Sequence, residues 1–176
     1  MWEYSSASSQ NQAGGVDGTM TATLRVDRVS TTGTSSKRGR VIIGQIHASD
    51  NEPIRLYYRK LPGNSNGSIY FAVDPNIGSE RWYEMIDSRS SSASNPSDGI
   101  ALGEQFSYSI QVVGNTMTVR IIRPGRADVA RNVSFASDGF ADDWMYFKAG
   151  AYNQNNTGDS SDYAPPSLPW MSRILS

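Results

Sequence analysis

Polar and apolar residues alternate along much of this chain, a pattern typical of strands with one face in a core and the other in solvent. The segment from Thr19 to Asp27 shows the alternation clearly. Further short runs are rich in β-branched and aromatic residues and are separated by turn-forming clusters. Beyond the first, we predict strands at Val41–His47, Ile54–Lys60, Ser68–Val73, Trp82–Ile86, Phe106–Val113, Thr116–Arg123 and Trp144–Gln154.

These strands predict an all-β fold. The pair Gly114-Asn115 lies between two of them and predicts a tight hairpin, because both residue types tolerate the positive φ angles of a two-residue turn. No window shows a convincing 3.6-residue apolar period. Many strands at short spacing favour a sandwich or jelly roll. The serine-rich stretch 88–98 is predicted to be a loop long enough to overhang a face of the sheet.

Length and composition indicate one domain. The chain has 176 residues, of which 38% are hydrophobic, and this is enough for a substantial core. We interpret residues 1–176 as a single domain without internal repeats or linkers. Residues 1–18 are predicted to form a loop or arm, and residues 165–176 form an atypical, proline-rich tail.

The charge balance limits the partners that the protein is expected to bind. Sixteen basic residues face 17 acidic ones, giving a net charge of −1, so no global positive field attracts nucleic acid or anionic lipid. We expect neither a nucleic-acid nor a membrane partner, and we expect a monomer. The sequence contains no cysteine and one histidine, which excludes a thiolate nucleophile and limits metal chemistry. We therefore expect neither a metal nor an organic cofactor.

Alternation also predicts which polar side chains share a face, since residues two apart in a strand point the same way. Each predicted set is polar where a core face would be apolar. The sets are Gln45 and His47; Arg55, Tyr57 and Arg59; and Tyr146, Lys148, Tyr152 and Gln154. Side by side, such strands would form a groove suited to a hydroxylated and carboxylated polymer.

Simpler interpretations remain open from the pattern alone. The three sets are also consistent with solvated outer faces in which tyrosine is an ordinary β-former. His47 taken alone is consistent with a structural histidine. No Asp or Glu lies in a recognisable catalytic context, so glycoside hydrolysis has little support.

Two segments resemble the motifs of a known enzyme family. The run Gly44-Gln45-Ile46-His47 resembles the Q-I-H motif of alginate lyases of polysaccharide lyase family 7 and the related family 18. Residues 146–154, YFKAGAYNQ, resemble their Y-F-K-A-G-x-Y-x-Q motif. Residues 52–64 also look like these enzymes, closer to family 18, and the resemblance covers roughly residues 18–163. It implies a concanavalin A-like β-jelly roll with a concave substrate groove.

The resemblance implies a β-elimination in which the C5 proton of a uronate is removed and the C4 oxygen is expelled. Gln45 would bind the carboxylate, and His47 would help to neutralise it and act as base for guluronate. Tyr152 would donate a proton to the leaving oxygen and serve as base for mannuronate. The resemblance also implies that Arg55, Tyr57, Arg59, Tyr146, Lys148 and Gln154 contact substrate.

The sequence departs from the family pattern in two places. The family's upstream R-[S/T]-E-L-R strand, whose first arginine also binds the carboxylate, has no counterpart here. Arg38 and Arg40 precede the Gln45 strand, and Arg40 is the first candidate to supply the missing charge. After residue 164 the family's closing strand is replaced by the proline-rich tail. We therefore expect a fragment, a truncated product or an engineered form.

The sequence thus predicts a secreted or periplasmic bacterial alginate lyase, a polysaccharide lyase that acts endolytically on alginate or another polyuronate and releases unsaturated oligosaccharides. The alternatives are a non-catalytic alginate-binding jelly roll, a truncated lyase with impaired activity, and a glucan hydrolase or lectin on a similar sandwich. The conjugated double bond left by elimination distinguishes a lyase from these binding proteins and hydrolases.

Overall fold

The computed structural model describes residues 17–141, 143 and 145–163. Most of the predicted N-terminal arm and the whole of the predicted tail lie outside these residues. The described part contains ten strands and one short helix. Their bounds are β1 Gly18–Arg25, β2 Arg40–His47, β3 Ile54–Arg59, β4 Asn66–Val73, β5 Arg81–Ile86, β6 Ile100–Ala101, β7 Gln105–Val113, β8 Thr116–Ile122, β9 Val129–Ser134, β10 Tyr146–Asn153 and α1 Ser160–Tyr163.

The strands form two antiparallel sheets. One sheet has four strands in the order β1-β7-β8-β9, and the other has six, in the order β10-β2-β3-β4-β5 with β6 paired to β4. Within the described residues, no helix is long and apolar enough to span a membrane. The architecture confirms the predicted all-β class.

A single large apolar cluster fills the space between the sheets. It takes alternate residues of each sheet, such as Ile46, Leu56 and Phe71 from the six-stranded sheet and Phe106 and Val119 from the four-stranded one. Burial of these side chains is the main force that holds the sheets together, because each fully buried aliphatic or aromatic side chain contributes about 1.5–3 kcal/mol. The alternation in the sequence therefore arises because every second residue of these strands enters this core.

Strand β2 contains a break in register that the core supports directly. Ile42 lies opposite Tyr57 of β3, but Gly44 lies opposite Leu56, so Ile43 is an extra residue in β2. A bulged residue has a carbonyl without a ladder partner. The hydroxyl of Tyr108, from the opposite sheet, donates a 2.7 Å hydrogen bond to the Ile43 carbonyl. The bulge is thus joined to the other sheet through the core.

The predicted strands are confirmed, with small shifts at their ends. The predicted hairpin is also confirmed, since Val113 lies opposite Thr116, although only Gly114 of the turn has a positive φ, of 55°. Sequence patterns missed β6, β9 and α1. Two residues are too few to show alternation, and four are too few to show a helical period. Strand β9 lies at a sheet edge and is largely exposed, with Val133 its one buried residue, so it shows no clear apolar alternation.

We predict that Gly44→Ala destabilises the fold. A Cβ at this position would lie 2.6 Å from the Tyr108 hydroxyl and 2.7 Å from its ring, so the ring or the strand must move. Overpacking of this kind costs about 1–3 kcal/mol. Chemical denaturation monitored by circular dichroism measures the change.

Gly150→Ala is the matched control, because a Cβ on this glycine of β10 meets nothing within 4 Å. The control should be as stable as the parent or slightly more so. Equal stability of the Gly44→Ala variant and the parent would show that the Tyr108 contact does not constrain β2.

Candidate functional site

The face of the six-stranded sheet that points away from the core carries the polar side chains that alternation predicts, and we call it the cleft face. Side chains form rows across the strands because partners in register lie side by side. One row consists of Lys148, Gln45, Arg55, Ala72 and Trp82, from β10 to β5. The next row consists of Tyr152, Ile42, Tyr57, Tyr70 and Glu84.

Open cavities line the cleft face in the described part of the chain, and three of them bear on the site. The first, of about 340 Å³, contacts Gln45, Tyr146 and Lys148. The second, of about 440 Å³, is lined by Lys37, Arg40, Arg55, Tyr57, Glu80, Trp82, Tyr152, Gln154 and Asn156. The third, of about 430 Å³, is lined by Ser36, Arg40, Arg59, Tyr70, Trp82, Glu84 and residues 88–91. Arg40 and Trp82 line both larger cavities, so these two adjoin.

Gln45 and Lys148 form a donor pair at the first cavity. They lie opposite each other in the β2–β10 ladder, and Gln45 is only 8% exposed. The Lys148 ammonium lies 4.8 Å from the centre of the Tyr146 ring. An amide and a cation side by side suit the binding of a carboxylate.

His47 lies one step further along the same face. Its ring stacks on Tyr146 with centroids 5.5 Å apart. Its Nδ1 lies 2.5 Å from the Ala48 carbonyl, which can only accept a hydrogen bond, so Nδ1 carries the proton. In the neutral ring, Nε2 is then the basic nitrogen, and it lies 3.7 Å from a carboxylate oxygen of Glu52.

Tyr152 and Gln154 line the second cavity rather than the first. Tyr152 lies opposite Ile42, one row from Lys148 and Gln45 and two rows from His47. Tyr152 is 57% exposed and lines this open cavity. The Gln154 side-chain oxygen is buried without a hydrogen-bond partner among the described residues.

The guanidinium of Arg55 is neutralised by acidic neighbours. It lies 3.2 Å from Asp74 and 3.9 Å from Glu52 and also pairs with Glu80. Its predicted contact with a neighbouring uronate would therefore compete with three carboxylates of the protein itself. Glu52 joins this cluster to His47.

Arg59 and Tyr57 lie deeper in the sheet than the sequence suggests. Arg59 is 5% exposed and donates to the carbonyls of Arg38, Arg89 and Ser35. Tyr57 is 1% exposed, and burial raises its pKa to about 12 despite the nearby Arg55 and Arg40. Both residues form the floor of the cavities, with Tyr57 stacked on Tyr70.

Arg40 reaches the cleft face because of the bulge in β2. Strict alternation from Gln45 would place Arg40 towards the core, but the extra residue Ile43 reverses the side. Arg40 lies 5.1 Å over the Tyr57 ring, and its Nε is buried without a hydrogen-bond partner in the described part of the chain. A glycine inside a strand, Gly44, is the one sequence signal for this reversal.

Trp82 and Arg89 are cleft residues that sequence analysis did not single out. The Arg89 guanidinium lies 4.9 Å from the Trp82 ring. Arg89 belongs to the predicted serine-rich loop, which lines the third cavity together with the sheet. The prediction that this loop overhangs a face of the sheet is therefore confirmed.

The segment after Tyr152 is attached to the loop that precedes β2. The Asp162 carboxylate accepts hydrogen bonds from the backbone N–H groups and hydroxyls of Thr31 and Thr32. Asn155 donates to the Thr32 carbonyl, and Lys37 donates to Asn156. These contacts hold the end of β10, and with it the Tyr152 side of the second cavity, beside Lys37 and Arg40.

The architecture and the cleft face define a jelly-roll β-sandwich that presents amide, imidazole, phenol and cationic groups together. The chain belongs to the alginate lyase family, because the family model described as alginate lyase matches residues 1–168. This result confirms the family resemblance of the two sequence motifs.

Solved and curated relatives agree. An alginate lyase of Klebsiella pneumoniae is 53% identical over 175 residues, which cover 92% of this chain and 57% of that protein. The chain therefore spans somewhat more than half of this relative. The crystal structure of the Klebsiella alginate lyase matches with a TM-score of 0.83 at 52% identity, covering 92% of this chain and 61% of that one.

More distant structures share the fold. The exolytic alginate lyase AlyA5 of Zobellia galactanivorans, of polysaccharide lyase family 7, matches with a TM-score of 0.67 at 28% identity, covering 80% of this chain and 60% of that one. Alginate lyase A1-II′, of the same family, matches with a TM-score of 0.51 at 22% identity over 81% of this chain and 56% of that one, a likeness of fold alone. The predicted jelly roll is confirmed.

We predict that Asp162→Asn lowers the free energy of unfolding at neutral pH. We also predict that the stability of the variant falls less steeply as the pH is lowered. Burial alone would raise the pKa of Asp162, but the hydrogen bonds from Thr31 and Thr32 hold it below the usual value. The ionised group thus stabilises the fold above the ordinary aspartate pKa of about 3.9, and this contribution is lost as pH falls through the lower folded pKa. At neutral pH the variant should lose about 1–3 kcal/mol.

Denaturation curves from neutral pH to below about pH 4 measure both effects. Asp128→Asn is the control, because Asp128 is exposed and pairs with Arg120 on the other sheet. It should change the free energy of unfolding by no more than about 0.5 kcal/mol. An unchanged acid dependence in Asp162→Asn would contradict the proposed role of the carboxylate.

Proposed function

We propose that this chain is the catalytic β-sandwich of an alginate lyase, which cleaves the 1,4-linked uronate polymer by β-elimination. The observation that carries the proposal is the placement of Gln45, His47, Lys148 and Tyr152 on one face of one sheet. The Klebsiella relative, itself an alginate lyase, supports the substrate class. So do complexes of A1-II′ with product (GGG) and substrate (GGMG).

Neutralisation of the substrate carboxylate is the first requirement of the reaction. The C5 proton is barely acidic while the adjacent carboxylate is fully charged, because removal of the proton adds negative charge to the same group. The amide of Gln45 and the ammonium of Lys148 would hydrogen-bond that carboxylate from adjacent strands. Partial burial of Gln45 strengthens such a bond by excluding water.

Two proton transfers then complete the elimination. The C5–H bond breaks, its electrons form the C4–C5 double bond, and the C4–O bond breaks with a proton supplied to the leaving oxygen. Nε2 of His47 would accept the C5 proton of guluronate, since Nδ1 is held as a donor by Ala48. The hydroxyl of Tyr152, an exposed residue, would protonate the leaving oxygen, and it would serve as base for mannuronate.

Tyr152→Phe should remove most of the turnover. The substitution deletes the phenolic proton and keeps the ring, so alginate binding should persist while kcat falls by about 10²- to 10⁴-fold, the usual contribution of an acid-base group. Turnover is measured by the absorbance of the conjugated double bond in the product.

Tyr83→Phe is a matched control. The Tyr83 hydroxyl accepts a bond from Arg81, and its ring packs against the core rather than the cleft face. It should retain parental kcat. Full activity of Tyr152→Phe would show that the proton donor is misassigned, and the absence of any double bond from the parent would favour a non-catalytic alginate-binding protein.

We also propose that the enzyme acts endolytically, inside the polymer. This proposal is supported by the second and third cavities, which adjoin at Arg40 and Trp82. Together they leave room for several sugar residues across the sheet. The expected result is a rapid fall in the viscosity of an alginate solution at low double-bond yield, with oligomers of mixed length. Release of monomers or dimers with unchanged viscosity would indicate exolytic action, as in AlyA5.

A further inference from the structure

The third cavity, between the cleft face and the serine-rich loop, has features that the proposed elimination does not use. We propose that this cavity is a distal subsite in which Arg89 binds the carboxylate of a uronate residue remote from the cleaved bond. This inference rests on the proposed function, and it adds a binding site outside the motifs that carry the family resemblance.

Charge is the first argument for an anionic ligand. Three guanidinium groups, of Arg40, Arg59 and Arg89, line the cavity, and Glu84 is its one acidic lining residue among those described. Glu84 already accepts hydrogen bonds from the Ser88 hydroxyl and the Arg89 backbone N–H. The cavity is therefore locally cationic in a chain whose net charge is −1.

The three arginines differ in how their charges are used. Arg59 is occupied by backbone carbonyls of the protein. Arg40 and Arg89 form no ion pair with a carboxylate anywhere in residues 17–141, 143 and 145–163, whereas Arg55 pairs with three. The buried Nε of Arg40 also lacks a partner among those residues. Arg40 and Arg89 thus both lack a carboxylate partner among these residues, and of the two only Arg40 also lines the cavity of Tyr152.

Aromatic rings hold these two groups in place. Arg40 lies over Tyr57, and Arg89 lies over Trp82, with distances of 5.1 and 4.9 Å to the ring centres. Stacking restricts a flexible arginine without consuming its hydrogen-bond donors. Side chains oriented in advance bind a ligand at a lower entropic cost.

The serine-rich loop is attached to the sheet at both ends, so it forms a fixed wall of the third cavity. The chain leaves β5 at Asp87, whose φ of 56° turns the backbone over the sheet. The Arg89 carbonyl then accepts a 2.8 Å bond from Arg59. At the far end, the Asn95 side chain accepts bonds from the backbone N–H groups of Ser65 and Asn66.

The cavity is far enough from the reacting groups to be a separate subsite. Tyr152 and Tyr70 lie in one row but three strands apart, from β10 through β2 and β3 to β4. Strand spacing places them on the order of 14 Å from each other. A carboxylate bound beside Tyr70 and Trp82 therefore belongs to a different sugar residue from the one at Tyr152.

The test compares substrates that can and cannot reach the cavity. Unsaturated product is measured for Arg89→Gln acting on alginate trisaccharide and hexasaccharide. We expect kcat/KM for the hexasaccharide to fall about tenfold, the value of one charge-assisted hydrogen bond, and kcat/KM for the trisaccharide to stay within about twofold. Arg89→Lys should recover part of the loss.

Arg120→Gln is the matched control, because Arg120 is exposed on the four-stranded sheet and pairs with Asp128. It should leave both substrates unaffected. Equal losses for the trisaccharide and hexasaccharide would place Arg89 at the reacting centre and overturn the proposal. Unchanged kinetics with the hexasaccharide would overturn it as well.

A binding measurement keeps this inference separate from the proposed function. Calorimetric titration with alginate hexasaccharide and with the same oligomer after carboxyl reduction needs no turnover. Arg89→Gln should weaken binding of the charged oligomer about tenfold and leave that of the neutral one unchanged. Equal effects on the two oligomers would show that Arg89 acts by stacking rather than by charge, even in a chain that proves inactive.

Discussion

The hydrogen bond from Tyr108 to the Ile43 carbonyl links the two sheets at the point on which the cleft face depends. Burial raises the pKa of Tyr108, so its hydroxyl remains a donor. The bond satisfies the carbonyl that the bulge in β2 removes from the ladder, and Gly44 leaves room for the Tyr108 ring. Without the bulge, Gln45 and Arg40 would point to opposite faces.

In the described part of the chain, the arginines of the cleft face fall into two groups: those paired within the protein and those free to bind a ligand. Three carboxylates neutralise Arg55, and backbone carbonyls occupy Arg59, so these two side chains organise the floor of the cavities. Lys148, Arg40 and Arg89 instead line the cavities without an ion pair to any carboxylate among the described residues. A chain with a net charge of −1 can therefore present a cationic surface to a polyanion, because local charges act within a Debye length of about 10 Å.

Aromatic side chains connect the reacting groups to the rest of the cleft. Tyr146 contacts both His47 and Lys148 at one end of the sheet. Tyr57, Tyr70 and Trp82 form a second group of stacked rings towards β5. Flat, rigid rings suit the faces of sugar rings and also orient cations for their carboxylates. The cleft thus combines rigid contact surface with positioned charge.

Alternation in the sequence determined the strands, the all-β class and the shared face of Gln45 and His47, because burial of every second residue is a local requirement of a sandwich. Motifs located Lys148 and Tyr152. Only the tertiary structure decided that Arg40 joins that face, that Arg55 is neutralised and that Arg89 lies over Trp82. Each of these depends on a bulge or on a contact with another part of the chain. Asp74 lies 19 residues from Arg55, and Tyr108 lies 65 residues from Ile43. The alternation of polar and apolar residues carries no record of such contacts.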